Sequence, residues 1–408
     1  MSSVSGTAFV PSLVAGEAFD ERDDRRASRR RLLWTALVVA VMFLYPFVDS
    51  ALGIGRLGSF MSIFVLIILA MGLNVVVGYA GLLDLGYAAF FAIGAYTIAF
   101  LTSPGSVFVQ RGYVPEFLQN FWPALVLSWV VAAIFGVLLG APTLRLRGDY
   151  LAIVTLGFGE IVPNFFYNAE TITNGTRGIN PIGKPPTIAL GEFNLAFGPT
   201  DQRNWYWLML LVGLLTVFLI TRLYDSRLGR SWQAIREDEI AAASMGVNLV
   251  KTKLWAFALG ASFSGFAGSV YASAFQYVHP SQFAFSVSVM ILSMVILGGL
   301  GNIYGVIFGG LLIATFDRIL AEVLRDPLQS LGRSLNIDWL AEHDLTSDRL
   351  LVFGLALVLM MLLRPGGLFP NARRQAELKP ESEDVRVAED QRLYDLRAEN
   401  EPALGERA

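Results

Sequence analysis

The stretch RLYDSRLGRSWQAIREDEIAAASMGVNLVKTK, residues 222–253, is a charged segment that separates two long apolar segments. From residue 231 to residue 245 it contains neither Gly nor Pro, and its Ala, Glu and Arg residues favour helices. Ser231 suits the start of such a helix, and Gly246 suits the left-handed position after its end. The sequence therefore predicts a short helix over residues 231–245, on the membrane surface if the flanking segments cross a bilayer.

The predicted helix 231–245 is amphipathic. Its apolar face is expected to contain Trp232, Ile235, Ala242 and Met245. Its polar face is expected to contain Arg236, Glu237 and Asp238. One interpretation is a helix lying on lipid, but a face that is acidic as well as basic does not suit anionic lipid. The other interpretation is a helix that is presented to a partner protein.

The composition indicates an all-α polytopic membrane protein. Of its 408 residues 54% are apolar and 16% are charged. Apolar runs of about 20 residues recur, and each is long enough to cross the hydrocarbon of a bilayer. The net charge of −3 gives no reason to expect a nucleic-acid partner, and the absence of Cys excludes disulfides and thiolate metal sites. Membrane lipid is the expected surrounding.

About ten transmembrane spans are predicted. They are residues 32–49, 58–77, 84–102, 121–140, 149–168, 205–222, 254–273, 285–301, 304–321 and 350–363. Basic residues at 22–31, at Arg145 and Arg147 and in the loop 222–253 fall on the same side when the spans alternate, and the positive-inside rule makes that side cytoplasmic. Both termini then lie in the cytoplasm. Ten spans allow two five-helix halves of opposite orientation, an inverted repeat that stays a hypothesis here.

The predicted domain organisation has three parts. Residues 1–31 form a cytoplasmic arm, residues 32–368 form the membrane domain, and residues 369–408 form a charged tail that is expected to be disordered. Within the membrane domain, 224–253 is a cytoplasmic loop and 169–204 is an external loop. The length of the external loop fits either a surface that docks a partner or a simple lid.

No credible nucleotide-binding or catalytic motif is present. Residues 178–185 nearly match a phosphate-binding loop, but Pro185 replaces the Ser or Thr that binds Mg²⁺. Residues 53–58 match G-x-G-x-x-G, but they join two membrane spans and not a strand and a helix. The chain is therefore not expected to be an enzyme, and any ATP would be hydrolysed by another subunit.

The segment 72–96, GLNVVVGYAGLLDLGYAAFFAIGAY, is unusual for a membrane helix because it contains a charged residue, Asp84. Four glycines interrupt it: Gly78, Gly81, Gly86 and Gly94. One interpretation is a short turn between two helices with Asp84 as a solvated N-cap. The other is a discontinuous helix that lines a path, because freed backbone groups are tolerated where protein or water satisfies them.

Glu160 is predicted to lie near the middle of the membrane. It follows the start of its span by about 17 Å at 1.5 Å per residue. A carboxylate there is costly unless it is paired or hydrated. Thr155 and Asn164 add polarity to the same span, and Pro163 loosens the helix. Glu160 is interpreted either as a residue of a translocation path or as a structural contact between helices or subunits.

Five stretches resemble one known family. They are GLNVVVGYAGLLDLGYAAFFAIGAYTIAFL (72–101), LRLRGDYLAIVTLGFGEIVPNFF (144–166), TNGTRGI (173–179), SRLGRSWQAIREDEIAAASMGVN (226–248) and VILGGLGNIYGVIFGG (295–310). In this order, and over about residues 32–368, the chain resembles the LivM-type permeases of branched-chain amino acid ABC importers. Such permeases have a loop motif of the form EAA…G, which Ala241, Ala242 and Gly246 fit. Ile240 takes the place of the motif's Glu, and Glu239 is displaced by one residue.

The resemblance implies an importer of several chains in the bacterial plasma (inner) membrane. Its partners would be a second, LivH-like permease subunit, two ATP-binding subunits that hold ATP and Mg²⁺, and an extracytoplasmic substrate-binding protein. This chain would hold no cofactor. The residues expected to couple it to the ATPase are Gly229, Arg230, Ala234, Arg236, Glu237, Asp238, Glu239, Ala241, Ala242 and Gly246. The residues expected along the path are Asp84, Thr155, Glu160 and Asn164.

Two alternatives stay open from the sequence. An importer for urea, amides or other amino acids would share this architecture, because specificity lies largely in the binding protein. An ion-driven secondary transporter with Glu160 as its proton site would work without ATPase partners.

Overall fold

The computed structural model describes residues 42–53, 55–143, 149–190, 193–198, 201–320, 349–364 and 366–369, with scattered positions at 40, 323, 327, 329–330 and 334. The predicted arm 1–31 and the tail from residue 371 onward lie outside the described residues. The chain divides into two compact units, residues 1–55 and 56–408. In the first unit the described helix is α1, Met42–Leu52, in which the Tyr45 hydroxyl donates to Asp49 Oδ1 at 3.3 Å.

The second unit is built from helices. The membrane-length and associated helices are α2 (Leu57–Leu73) with a π-helical end (Asn74–Tyr79), α3 (Tyr87–Thr102), α4 (Val107–Gln110), α5 (Phe121–Thr143), α6 (Asp149–Asn168) and α7 (Glu170–Thr173). They are followed by α8 (Gln202–Tyr224), α9 (Arg227–Glu237), α10 (Glu239–Ser244), α11 (Leu249–Phe275), α12 (Phe285–Gly298), α13 (Ile303–Thr315) with a π-helical end (Phe316–Leu320), and α14 (Arg349–Leu363). Short 3-10 turns occur at Glu116–Gln119, Gly175–Arg177 and Pro280–Phe283.

The predicted all-α class is confirmed. Among the described residues, seven helices are long and apolar enough to cross a membrane. The other three predicted spans correspond to α1, α13 and α14, whose described lengths are shorter, and residues 32–39 of the first predicted span lie outside the described residues. The described strands are β1 (Ile188–Leu190) and β2 (Phe193–Leu195), an antiparallel hairpin in the external loop with Ile188 opposite Leu195. This hairpin is too small to change the class.

The centre of the bundle is α11, which packs against α2, α3 and α5, and α3 also packs against α5. Glycine allows their backbones to approach closely. A Cβ atom at Gly94 of α3 would lie 2.4 Å from Gly265 Cα of α11, and one at Gly136 of α5 would lie 2.6 Å from the Phe257 carbonyl oxygen of α11. Larger residues at these positions would therefore push the central helices apart.

The second unit has two ends, which we name after their segments. At the loop end, the segment 169–198 reaches two others: Ile179 pairs with Val278, and the Gly183 N–H donates to Thr102 Oγ1 at 2.9 Å. At the charged end, α9 lies beside the segment between α2 and α3 and the turn between α12 and α13, and α10 packs against α9 and α11.

The four residues 366–369 close the charged end. The Leu368 N–H donates to the Leu297 carbonyl at 2.9 Å, and the Phe369 N–H donates to the Gly298 carbonyl at 3.2 Å. The Asn302 side chain donates to the Phe369 carbonyl at 2.9 Å. The folded domain thus includes Phe369, one residue beyond the predicted boundary at 368.

Truncation after Pro370 is expected to leave expression and thermal stability unchanged, because these hydrogen bonds are kept. Truncation after Arg364 removes all three bonds, each of which contributes about 1 kcal/mol. We expect this shorter chain to unfold at a lower temperature in detergent, measured by size-exclusion chromatography after heating. Equal stability of the two truncations would show that residues 366–369 do not hold the α12–α13 turn.

Candidate functional site

The charged loop contains two helices and not the single helix predicted over residues 231–245. The break lies at Asp238, whose backbone is extended with φ −151° and ψ 113°. Asp238 Oδ1 accepts from the N–H groups of Ile240 and Ala241 at 2.8 and 3.0 Å, so it is the N-cap of α10. Ser231 is not the N-cap; α9 begins earlier, and Ser226 Oγ accepts from the Gly229 N–H at 3.2 Å.

Gly246 ends α10 in the predicted left-handed conformation, with φ +84°. The Gly246 N–H donates to the Ala243 carbonyl at 3.0 Å, and the Val247 N–H donates to the Ala242 carbonyl at 3.1 Å. This pair of bonds is a Schellman motif, which satisfies carbonyl groups that a helix end leaves free. A residue with a side chain would be strained at this φ.

Three contacts tie the helix pair α9–α10 to the bundle. Trp232 is fully buried, and its indole N–H donates to the Thr252 carbonyl at 2.7 Å. Lys253 of α11, which is itself buried, forms an ion pair with Glu239 at 2.7 Å. Arg236 donates from Nη1 to the Gly78 carbonyl at 2.5 Å. The pair is therefore held to α11 and to the end of α2.

The free side of the helix pair is partly apolar. Ile240 is 75% exposed and Met245 is 85% exposed. Met245 was predicted to share one apolar face with Trp232, Ile235 and Ala242; the helix breaks at Asp238, and Met245 is exposed while Ala242 is buried. The free side of the helix pair thus presents two large apolar side chains within a charged surface.

The remaining predicted coupling residues are distributed around this surface. Glu237 and Ala241 are exposed, and Ala234 is half-buried. Arg230 is exposed and donates to the Asp225 carbonyl at 2.8 Å. Gly229 is buried where α9 meets the end of α8; a Cβ there would lie 2.5 Å from the Leu223 carbonyl oxygen. Gly229 thus serves the packing of α9 and does not contribute to the exposed surface.

Asp84 is buried, which contradicts the interpretation as a solvated N-cap. Its Oδ1 accepts from the Gly86 N–H at 2.9 Å in a local turn before α3, and the N-cap of α3 is Gly86 and not Asp84. The Leu85 N–H donates to Thr155 Oγ1 of α6 at 3.0 Å, and Thr155 is also buried. We name residues 80–86 the connector. Asp84 and Thr155 therefore lie together where the connector meets α6.

Glu160 and Asn164 lie on a different face of α6, which the chain leaves exposed. The Asn164 side chain donates to the Glu160 carbonyl at 2.8 Å, and the Asn168 side chain donates to the Asn164 carbonyl at 2.8 Å. Because residues four apart share a helix face, these three residues form one polar stripe. The helix continues through Pro163 without a break. The predicted path residues thus form two groups, one buried and one exposed.

Comparison with known proteins agrees with these features. The sequence profile described as "Branched-chain amino acid transport system / permease component" matches residues 55–361. The chain belongs to this family. It is 37% identical over 93% of its length to the high-affinity branched-chain amino acid transport system permease protein LivM of Escherichia coli strain K12, covering 82% of that protein.

Two other relatives agree with this assignment. The chain is 37% identical to LivM of Salmonella typhimurium strain LT2, over 92% of this chain and 81% of that protein. It is 26% identical to a probable LivM of Methanocaldococcus jannaschii, over 74% of this chain and 90% of that protein. No solved structure matches the chain significantly. The chain is thus a multi-pass membrane permease component and not an enzyme, and its described residues hold no cluster of potential metal ligands.

Asp238→Ala is expected to loosen α10 without unfolding the bundle. Loss of an N-cap costs about 1 kcal/mol, so amide hydrogen exchange in the segment 239–246 should become about fivefold faster. Glu237→Ala is the matched control, because Glu237 is the neighbouring exposed acid and does not cap α10. Equal exchange in the two variants, measured by mass spectrometry of the purified chain, would contradict the capping role.

Proposed function

We propose that the chain is a permease subunit of an ABC importer for leucine, isoleucine and valine in the bacterial inner membrane. The identity to LivM proteins along nearly the whole chain supports this proposal most directly. The exposed surface of α9 and α10 supports a partner at the charged end. The other subunits would be a second permease, two ATP-binding subunits that hold ATP and Mg²⁺, and an extracytoplasmic binding protein.

The positive-inside rule supports a cytoplasmic position for the charged end. There Ile240 and Met245 would fill an apolar recess of an ATP-binding subunit, and the charged residues around them would form the rim of the interface. The loop end would then face outward. Its segment 169–198, fixed at Ile179 and Gly183, would receive the binding protein.

The exposed stripe of α6 supports a place for the translocation path. Glu160, Asn164 and Asn168 would be unfavourable against hydrocarbon, since an unpaired carboxylate in the membrane costs several kcal/mol. This face of α6 would therefore meet the second permease subunit across a water-filled path. Glu160 would give the ammonium group of an amino acid a weak, transient partner, which speeds passage without trapping the substrate.

Uptake by the reconstituted complex tests the whole proposal. Vesicles that contain both permeases and the ATP-binding subunits should accumulate labelled leucine, isoleucine or valine only with ATP and the binding protein. Uptake driven by an ion gradient without ATP would support a secondary transporter instead. ATP-driven uptake of urea or amides, with no uptake of these amino acids, would keep the class and replace the substrate.

Docking of the ATP-binding subunit is tested by the double substitution Ile240→Glu and Met245→Glu. Both side chains are largely exposed, so membrane insertion and folding should be unchanged. We expect co-purification of the ATP-binding subunit to be lost, because two charges would have to be buried in the interface. Tyr113→Glu is the control: Tyr113 is 69% exposed at the loop end. Full retention of the ATP-binding subunit by the double variant would contradict docking at α10.

The path-lining role of Glu160 is tested by Glu160→Gln and Glu160→Leu. We expect the Gln variant to assemble and to transport more slowly, with ATP hydrolysis partly uncoupled from uptake. The Leu variant should be slower still because it also loses hydrogen bonding. Initial uptake rates at matched protein levels give the answer. Parental rates in Glu160→Gln would refute the role, and failure of both variants to assemble would identify Glu160 as a subunit contact.

A further inference from the structure

Arg236 is the side chain that joins α9 to the end of α2. Arg236 Nη1 donates to the Gly78 carbonyl, and its side chain is half-buried. A guanidinium group is always charged and offers several N–H donors in a fixed plane, so it can hold a carbonyl group firmly. The described contact of Arg236 therefore connects the surface around α10 with the backbone of a membrane helix.

Three glycines lie at the Arg236 side chain: Gly78 accepts its hydrogen bond, and Gly81 and Gly301 lie against it with positive φ. Gly81 has φ +70°, and a Cβ there would lie 3.0 Å from Arg236 Cγ. Gly301, in the turn before α13, has φ +84°, and a Cβ there would lie 3.1 Å from Arg236 Nη1. A Cβ at Gly78 would lie 2.7 Å from the Gly301 backbone nitrogen. We name Gly78, Gly81 and Gly301 the glycine cradle.

The cradle lies at an irregular part of the backbone. Residues 74–79 form a π-helix, a rare conformation that marks functional positions in many helices. The buried Asn74 side chain within it accepts from the Gly301 N–H at 2.9 Å, which fixes the α12–α13 turn to the same place. The π-helix, the α12–α13 turn and α9 thus meet at Arg236.

The connector joins this junction to α6. It begins two residues after Gly78, and at its other end the Leu85 N–H donates to Thr155 Oγ1. A Cβ at Gly159 would lie 2.8 Å from Gly86 Cα, so the backbones of the connector and α6 are in contact. Gly159 directly precedes Glu160 on α6. A displacement of α9 that moves Gly78 would therefore be passed along the connector to the helix that carries the polar stripe.

We propose that Arg236 is a positioning residue that links the ATP-binding subunit, docked at α9 and α10, to the position of α6. The link runs through the glycine cradle and the connector. This inference rests on the proposed function, because it assumes an ATP-binding subunit at the charged end. Arg236 does not contact substrate. The proposed link requires two discrete arrangements of the junction, and a direct measurement on α6 can detect them.

The absence of Cys gives a clean reporter for α6. A Cβ at Gly157 has no atom within 4 Å, so Gly157→Cys introduces one thiol into this chain, one turn before Glu160, and the labelling of this chain is read separately from that of the other subunits. In vesicles with all subunits, the rate of labelling by a charged maleimide is measured with and without ATP plus vanadate. We expect the labelling rate to differ between the two conditions. We expect Arg236→Met to abolish this difference, although the variant still hydrolyses ATP when vanadate is left out.

In Arg236→Met, the number of substrates transported per ATP hydrolysed should fall by about fivefold or more. A fivefold change is the lower end of typical coupling effects between sites. Arg236→Lys, which keeps a charged donor, should restore part of the ratio. Arg222→Met is the matched control, because Arg222 is exposed and lies over the Phe218 ring at 5.4 Å. A merely structural role would lower protein yield without changing the labelling response or the number of substrates per ATP.

A second perturbation reaches the same junction from the connector. The added Cβ of Gly81→Ala would push against Arg236. Gly112→Ala is the matched control, because the φ of Gly112 is similar, +71°, and a Cβ there would have no atom within 4 Å. We expect Gly81→Ala alone to uncouple transport, even if Arg236→Met does not assemble. Parental labelling response and coupling in Arg236→Met or in Gly81→Ala would overturn the inference. If the parent itself shows neither ATP-driven uptake nor an ATP-dependent labelling rate, the proposed function fails instead.

Discussion

A helix that ends inside a protein leaves backbone groups that must find partners, and this constraint governs the junction between α2 and α3. Some partners at this junction are backbone groups, as when the Leu82 N–H donates to the Val76 carbonyl, but three are side chains. Arg236 binds the Gly78 carbonyl, Thr155 accepts from the Leu85 N–H, and Asp84 accepts from the Gly86 N–H. Separate parts of the chain are therefore joined by the hydrogen bonds that the interrupted helix requires.

The glycines at this junction allow close contact between backbones, but the surfaces in contact do not interlock. Gly86 and Gly159 bring two backbones together without side chains that fill each other's gaps. Such an interface resists separation but allows small shifts along its length, of the kind that helices make in switching proteins. In the proposed coupling, the hydrogen bonds of Arg236 and Thr155 would determine which shift is passed on. Close packing and directional bonding thus have different roles at the same place.

The apolar spans could be predicted from the sequence because length and composition suffice to locate a membrane helix. The helix of the charged loop was predicted, but its break at Asp238 was not, since Asp is acceptable both within a helix and at its start. The position of Met245 was wrong for the same reason. The contact of Arg236 with Gly78 joins residues 158 positions apart, and no local pattern indicates it. The glycine spacing in 72–96 did indicate an interruption, but not which side chains would satisfy it.

The surface of α6 supports the proposal that a second subunit covers this helix. A polar stripe of Glu160, Asn164 and Asn168 is exposed beside apolar neighbours such as Ile161 and Phe165, on a helix long enough to cross the membrane. Lipid would suit the apolar neighbours but not the stripe. Water alone would suit the stripe but not the neighbours. A protein partner that covers Ile161 and Phe165 while leaving water along Glu160 satisfies both, and this combination is what a path between two subunits provides.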